Sequence, residues 1–251
     1  MRLPSRAARL PLALAAALVV SLAANAILLA SVIRYFKNTT AVRLDPAGLN
    51  VYAADRAKEP AGGPLVVFFG DSRALMWPEP ATATGYRMLN HGIGYQTTEQ
   101  ILMRVDDDVV RLHPTVVVLE AGVNDLKAIA EFPERRAQIV ADCEANLERI
   151  VDRCRQAGAT VVLVTVFDIG DVSVWRRPLW SGDVEVAVRE VNAYLPKLTG
   201  DQVVLFEAAP VLDDSTGVVQ KGYQLDYLHL SAAGYAALNR KLLPLLSALP
   251  K

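Results

Sequence analysis

Leu65-Val66-Val67-Phe68-Phe69-Gly70-Asp71-Ser72 is an apolar run of strand length that stops at a glycine and two small polar residues. Its apolar residues are continuous, not alternating, which marks a strand covered on both faces, as in a parallel sheet. Thr115 to Glu120, Thr160 to Val166 and Val203 to Phe206 repeat the pattern, with a weaker strand at Tyr86 to Asn90. Between them, helical periodicity runs through Thr97 to Leu112, Pro133 to Ala157 and Asp183 to Leu198. A last helix is expected at Ser231 to Leu243, opened by Ser231 and ended or kinked by Pro244. Strands alternating with helices predict an α/β domain whose parallel sheet carries helices on each side.

Upstream, Leu10 to Ile33 is a stretch of 24 uncharged residues. As a helix it is long enough to cross a hydrocarbon core of about 30 Å. The expected organisation is a basic tail at 1–9 with Arg2, Arg6 and Arg9, an anchor at 10–33, a juxtamembrane linker at 34–63 and the enzyme domain at 64–251. Pro46, Pro60 and Gly62-Gly63 give the linker its irregular character. Ala24-Asn25-Ala26 fits signal-peptide cleavage as the alternative, but apolar residues continue to Ile33, as in a retained anchor. Either reading puts the domain outside the cytoplasm, periplasmic or at the cell surface.

The 26 basic and 27 acidic side chains give no broad positive field, so nucleic acid is not an expected partner. Cys143 and Cys154 fall in one predicted helix, about 16 Å apart along its axis, too far for a disulfide, and are read as buried thiols. Neither C-x-x-C nor H-E-x-x-H occurs, so no metal is expected. Asp106-Asp107-Asp108 is read as a solvated helix face.

Four short blocks carry chemistry. Gly70-Asp71-Ser72 ends the first strand and puts a hydroxyl where an α/β sheet binds ligands, beyond the carboxyl ends of its strands. Asp226-Tyr227-Leu228-His229 precedes the last helix and pairs an imidazole with a carboxylate able to fix its tautomer. Gly122-Val123-Asn124-Asp125 follows the third strand and offers the Asn124 amide to a developing oxyanion. Asn90-His91-Gly92-Ile93-Gly94-Tyr95-Gln96 follows the weak strand and exposes backbone N–H groups.

Together these blocks resemble the SGNH, or GDSL-like, hydrolase family from Val66 to about Ala237. The resemblance implies a three-layer α/β/α sandwich with a flavodoxin-like sheet of about five strands. It implies Ser72 as nucleophile, His229 as base, Asp226 as orienting acid, and an oxyanion hole from the Ser72 N–H, Asn124 and the residue at Tyr95. Tyr95 departs from the family pattern, which has glycine there. Gly94, Trp175 and Trp180 are further candidates for contact with substrate, and Trp77 is a candidate either for the cleft or for loop packing. The implied reaction is cofactor-free hydrolysis of a lipid ester such as a lysophospholipid, or of an O-acetyl group on envelope polysaccharide. Acyl transfer through the same serine, and a silent glycan- or lipid-binding module, are the alternatives.

Overall fold

The computed structural model describes residues 6–56, 62–80 and 85–249, with side chains from Pro11 onward. Residues 1–5 of the basic tail, the side chains of Arg6 and Arg9, and Pro60 lie outside the described residues. The chain divides into a unit ending at Pro46 and a unit beginning at Ala47.

The first unit is one helix, Arg6–Leu44, which continues beyond the span expected to end at Ile33. It is long and apolar enough to cross a membrane, with a mean hydropathy of 2.4 in its apolar window and none of that window buried.

The second unit is built on five parallel strands: β1 Leu65–Gly70, β2 Arg87–Gly92, β3 Val116–Glu120, β4 Thr160–Val164 and β5 Val203–Phe206, in the order β2-β1-β3-β4-β5. Chain order reverses at β1, where a crevice forms between the ends of β1 and its neighbours. Val66, Val67, Phe68 and Phe69 are wholly buried. Their alternate side chains feed two cores: Val67 and Phe69 face one, Val66 and Phe68 the other. Burying each phenylalanine contributes about 2–3 kcal/mol. The helices Arg136–Gln156 and Asp183–Tyr194 supply the first core, and Ala232–Ala248 the second.

The expected helix from Thr97 to Leu112 is broken into Thr98–Met103, Val105–Asp108 and a 3-10 turn at Val110–Leu112. Arg104, at φ −112° and ψ 3°, interrupts it and turns its guanidinium inward. Asp108 follows it there, forming an ion pair at 3.1 Å. The solvated-face reading of the three aspartates is corrected at Asp108, while Asp106 stays exposed and meets Arg153. Pro244 does not end the last helix, which runs on to Ala248. Leu238, Leu242 and Leu246 form one buried stripe across it, and burial of Leu246 offsets the hydrogen bond the proline removes.

Cys143 and Cys154 are free and buried, and burial pushes the Cys154 thiol up to about 12. Trp77 packs among Phe68, Phe167, Phe206 and Tyr235 and donates from Nε1 to Asn239, so it belongs to the core and not to the cleft.

Candidate active site

Two glycines let the Ser72 turn sit against the sheet. A Cβ at Gly70 would fall 1.7 Å from the Glu120 carbonyl oxygen, and one at Gly92 would fall 2.2 Å from the Leu75 nitrogen. Only glycine permits either approach. Asp71 accepts from the Arg73 N–H at 2.8 Å and caps the one-turn helix Ser72–Leu75. Asn90 adds a second tie, donating to the Ala74 and Trp77 carbonyls while accepting from the Gly92 N–H.

Ser72 Oγ lies 2.9 Å from His229 Nε2. The other ring nitrogen, Nδ1, lies 2.9 Å from Asp226 Oδ2. Asp226 also accepts the Leu228 and His229 N–H groups at 2.7 and 2.8 Å. Burial alone would raise the Asp226 carboxyl, but these hydrogen bonds and the adjacent imidazole hold it below the usual carboxylate range. It is therefore ionised at neutral pH and fixes Nδ1 as the protonated ring nitrogen, leaving Nε2 to accept from the serine.

Asn124 is buried beside them, and its amide donates one N–H to the Gln96 carbonyl at 3.0 Å. The amide's second N–H remains for a ligand. Gln96 is held from both sides: its Nε2 donates to the Ala47 carbonyl, and its Oε1 accepts from Arg104 Nε. Arg104 also donates to the carbonyls of His91 and Gly70. One buried guanidinium thus joins the end of β1, the loop after β2 and, through Gln96, Asn124. Part of the expected linker closes over the end of β2 as well, since Tyr52 donates to the Gly92 carbonyl and stacks on His91 at 4.1 Å.

Tyr95 has φ +68°, the left-handed region that favours glycine. The backbone therefore keeps a glycine's conformation although the side chain is tyrosine, and the ring projects outward, 85% exposed. Tyr95→Gly is expected to raise stability by about 1 kcal/mol by releasing this conformation. Tyr95→Ala, which retains a Cβ, should not, and a pair of thermal melts compares them.

Asp125, next to Asn124, accepts from the Thr98 N–H and hydroxyl, and burial pushes its carboxyl up to about 6. Its folded value lies above its unfolded one, so its contribution to stability is present at low pH and lost as pH rises from about 4 to 6. The stability advantage of wild type over Asp125→Asn should shrink by about 2 kcal/mol between pH 4 and pH 7, read by denaturant titration.

The cleft encloses about 380 Å³ and is lined by Ser72, Tyr95, Asn124, Trp180 and His229 among others. Trp180 packs edge-on to Tyr227 at 5.2 Å. Gly94 lies behind the lining, with its Cβ direction 3.9 Å from Ser72 Cβ. Trp175 is 91% exposed and does not line the cleft. Lys127, Arg176 and Tyr227 do line it, and Arg73 and Arg104 hold it from beneath; sequence reading singled out none of these. The nearest signal was position: Lys127 lies three residues after Asn124, one helical turn on.

A hydroxyl, imidazole and carboxylate in one hydrogen-bonded chain at the carboxyl edge of a parallel sheet is the arrangement of α/β serine hydrolases. Residues 61–237 match the GDSL-like Lipase/Acylhydrolase family, and the chain belongs to that family and is an ester hydrolase. Human platelet-activating factor acetylhydrolase IB subunit alpha1 is 29% identical over 192 residues, 73% of this chain and 75% of the relative. A solved structure described as a putative platelet activating factor from Streptococcus pneumonia shares the fold, with a TM-score of 0.70 at 22% identity, over 86% of this chain and 99% of that one. So does a catalytic mutant of an acetylxylan esterase from Geobacillus stearothermophilus, with a TM-score of 0.58 at 16% identity, over 75% of this chain and 96% of that one.

Proposed function

We propose that the chain is a membrane-anchored serine esterase that removes short acyl groups through an acyl-Ser72 intermediate. His229 Nε2 takes the Ser72 proton as Oγ attacks the ester carbonyl, then gives that proton to the departing alcohol oxygen. A water, deprotonated by the same nitrogen, attacks the acyl-serine; the proton returns to Ser72 as the carboxylic acid leaves. The carbonyl oxygen, negative in each tetrahedral stage, is met by the Ser72 and Tyr95 N–H groups and the free Asn124 N–H. The observation carrying this reading is the Ser72–His229–Asp226 chain, with both of its links at 2.9 Å.

A short acyl group such as acetyl would leave most of the cleft of about 380 Å³, lined by Trp180 and Tyr227 among others, for the alcohol half. The acetylhydrolase and acetylxylan esterase named above agree with that size. Lipid esters such as lysophospholipids and O-acetylated envelope glycans are the substrate classes within reach. The apolar segment 10–33 supports anchoring, with the domain on the extracytoplasmic side. A fluorophosphonate probe tests the mechanism on the full chain in neutral detergent. Label is expected on the Ser72 peptide alone and should be lost in His229→Ala; label elsewhere, or none, overturns the assignment.

A further inference from the structure

Two cations, Lys127 and Arg176, line the cleft. Lys127 is half-buried, and its Nζ sits 5.5 Å from the centre of the Tyr95 ring. The Arg176 guanidinium lies 4.9 Å from the centre of the Tyr227 ring and donates to the Tyr227 hydroxyl at 3.2 Å. Neither forms an ion pair with a carboxylate among the described residues. Aromatic faces return only part of the hydration that a half-buried cation gives up. Burial, with Arg73 and Arg176 acting in the same direction, lowers the Lys127 ammonium's pKa against the opposing pull of Asp71 and Glu131. An anion between the two cations would relieve their repulsion and replace the water that Lys127 has lost, while Arg176 is exposed.

Chain position says which half of the ester would carry it. Arg176 rests on Tyr227, two residues before His229, whose Nε2 serves the departing alcohol. An anion held there belongs to the alcohol half. Lys127 lies one helical turn beyond Asn124, on the oxyanion side, and lines the same cleft as Arg176.

We propose that Lys127 and Arg176 form an anion subsite beside Ser72, so that the preferred esters carry an oxyacid anion, phosphate or carboxylate, on their alcohol half. The proposal rests on the hydrolytic reading of Ser72 and His229. Glu131, an exposed carboxylate on the same rim, opposes such a ligand and limits how tightly it is held.

The test uses the full chain in neutral detergent and three acetate esters: para-tolyl acetate as neutral reference, para-acetoxyphenyl phosphate and para-acetoxybenzoate. The quantity read is the kcat/KM ratio of each anionic ester to the neutral one, because comparing variants with wild type cancels intrinsic reactivity. Lys127→Gln and Arg176→Gln are each expected to lower the ratio about tenfold, the size of one partly screened charge-assisted contact. Lys127→Arg and Arg176→Lys should keep most of it, and Glu131→Gln should raise it. A fall for the phosphate ester alone assigns the seat to phosphate; a fall for both assigns it to oxyacid anions generally. Ratios that stay at the wild-type value in both glutamine variants overturn the subsite.

Calorimetric binding of phenyl phosphate reads the subsite without turnover. Binding about tenfold weaker in either glutamine variant is expected, and equal binding in all three proteins overturns the subsite whatever the esters do. Intact binding with no Ser72-dependent turnover would strike the hydrolytic reading alone.

Discussion

Ser72→Ala should lower kcat for para-nitrophenyl acetate by on the order of 10⁵-fold while leaving the thermal midpoint within a few degrees of wild type. The hydroxyl is the atom to which the acyl group would be bonded, and no neighbouring side chain can replace it: in its cleft stand an amide, two cations, aromatic rings and the carboxylates of Glu131 and Asp226, the latter already occupied by His229. His229→Ala should cost a similar amount, since an unassisted hydroxyl is a poor nucleophile. The two losses should not add, because serine and imidazole act as one unit. The double variant should therefore be about as active as either single one. Additive losses, or a Ser72→Ala protein within tenfold of wild type, would mean that ester cleavage proceeds elsewhere.

The parts of this site that sequence made legible are those whose chemistry needs a particular side chain at a strand end. Gly70, Ser72 and Asn124 fall where unbroken apolar runs stop, and a parallel sheet brings all such stops to one edge. The weak second strand was legible only roughly, because Arg87 to Asn90 lies at the sheet edge and is half-buried, which dilutes its apolar signal. The supporting layer was not legible. Arg73 and Arg104 are wholly buried, yet an arginine inside a polar stretch reads as solvated, and only tertiary contacts reveal otherwise. Arg104 also explains the missed helix break, since its apolar neighbours keep helical spacing on both sides of a residue that leaves helical geometry to reach Gly70, His91 and Gln96.

Arg73 sets the largest expected loss of stability. Its side chain is fully buried next to Ser72 and donates from Nε to the Leu228 carbonyl and from Nη1 to the Phe167 carbonyl. Glu120 Oε1 stands 3.8 Å from Nη1, too far for a hydrogen bond but near enough for a strong Coulombic attraction in a buried setting. Burial, and then Asp71, push the Glu120 carboxyl well above the usual carboxylate range; Arg73 is the charge that opposes them. Arg73→Met keeps the chain's bulk but strands both carbonyls and leaves the two buried acids without compensation. The expected cost is about 3–5 kcal/mol. For a chain of this size that is a fall of roughly 10 °C in Tm.

The loss should depend on pH with a definite sign. Glu120 has a folded value above its unfolded one, so the stability it contributes is present at low pH and falls as pH rises through that interval. Removing Arg73 lifts the folded value further and extends the interval upward. The gap between wild type and Arg73→Met should therefore widen as pH passes the wild-type folded value and before it passes the variant's. Glu120→Gln removes the stranded charge, so the double variant should recover part of the loss and flatten the pH dependence. Activity should fall too, by about 100-fold in kcat, because the Leu228 carbonyl that Arg73 grips lies one residue before His229 and its release lets the imidazole drift from Ser72. A double variant no more stable than Arg73→Met would show that Arg73 acts through its two carbonyl bonds alone and not as the counter-charge of Glu120.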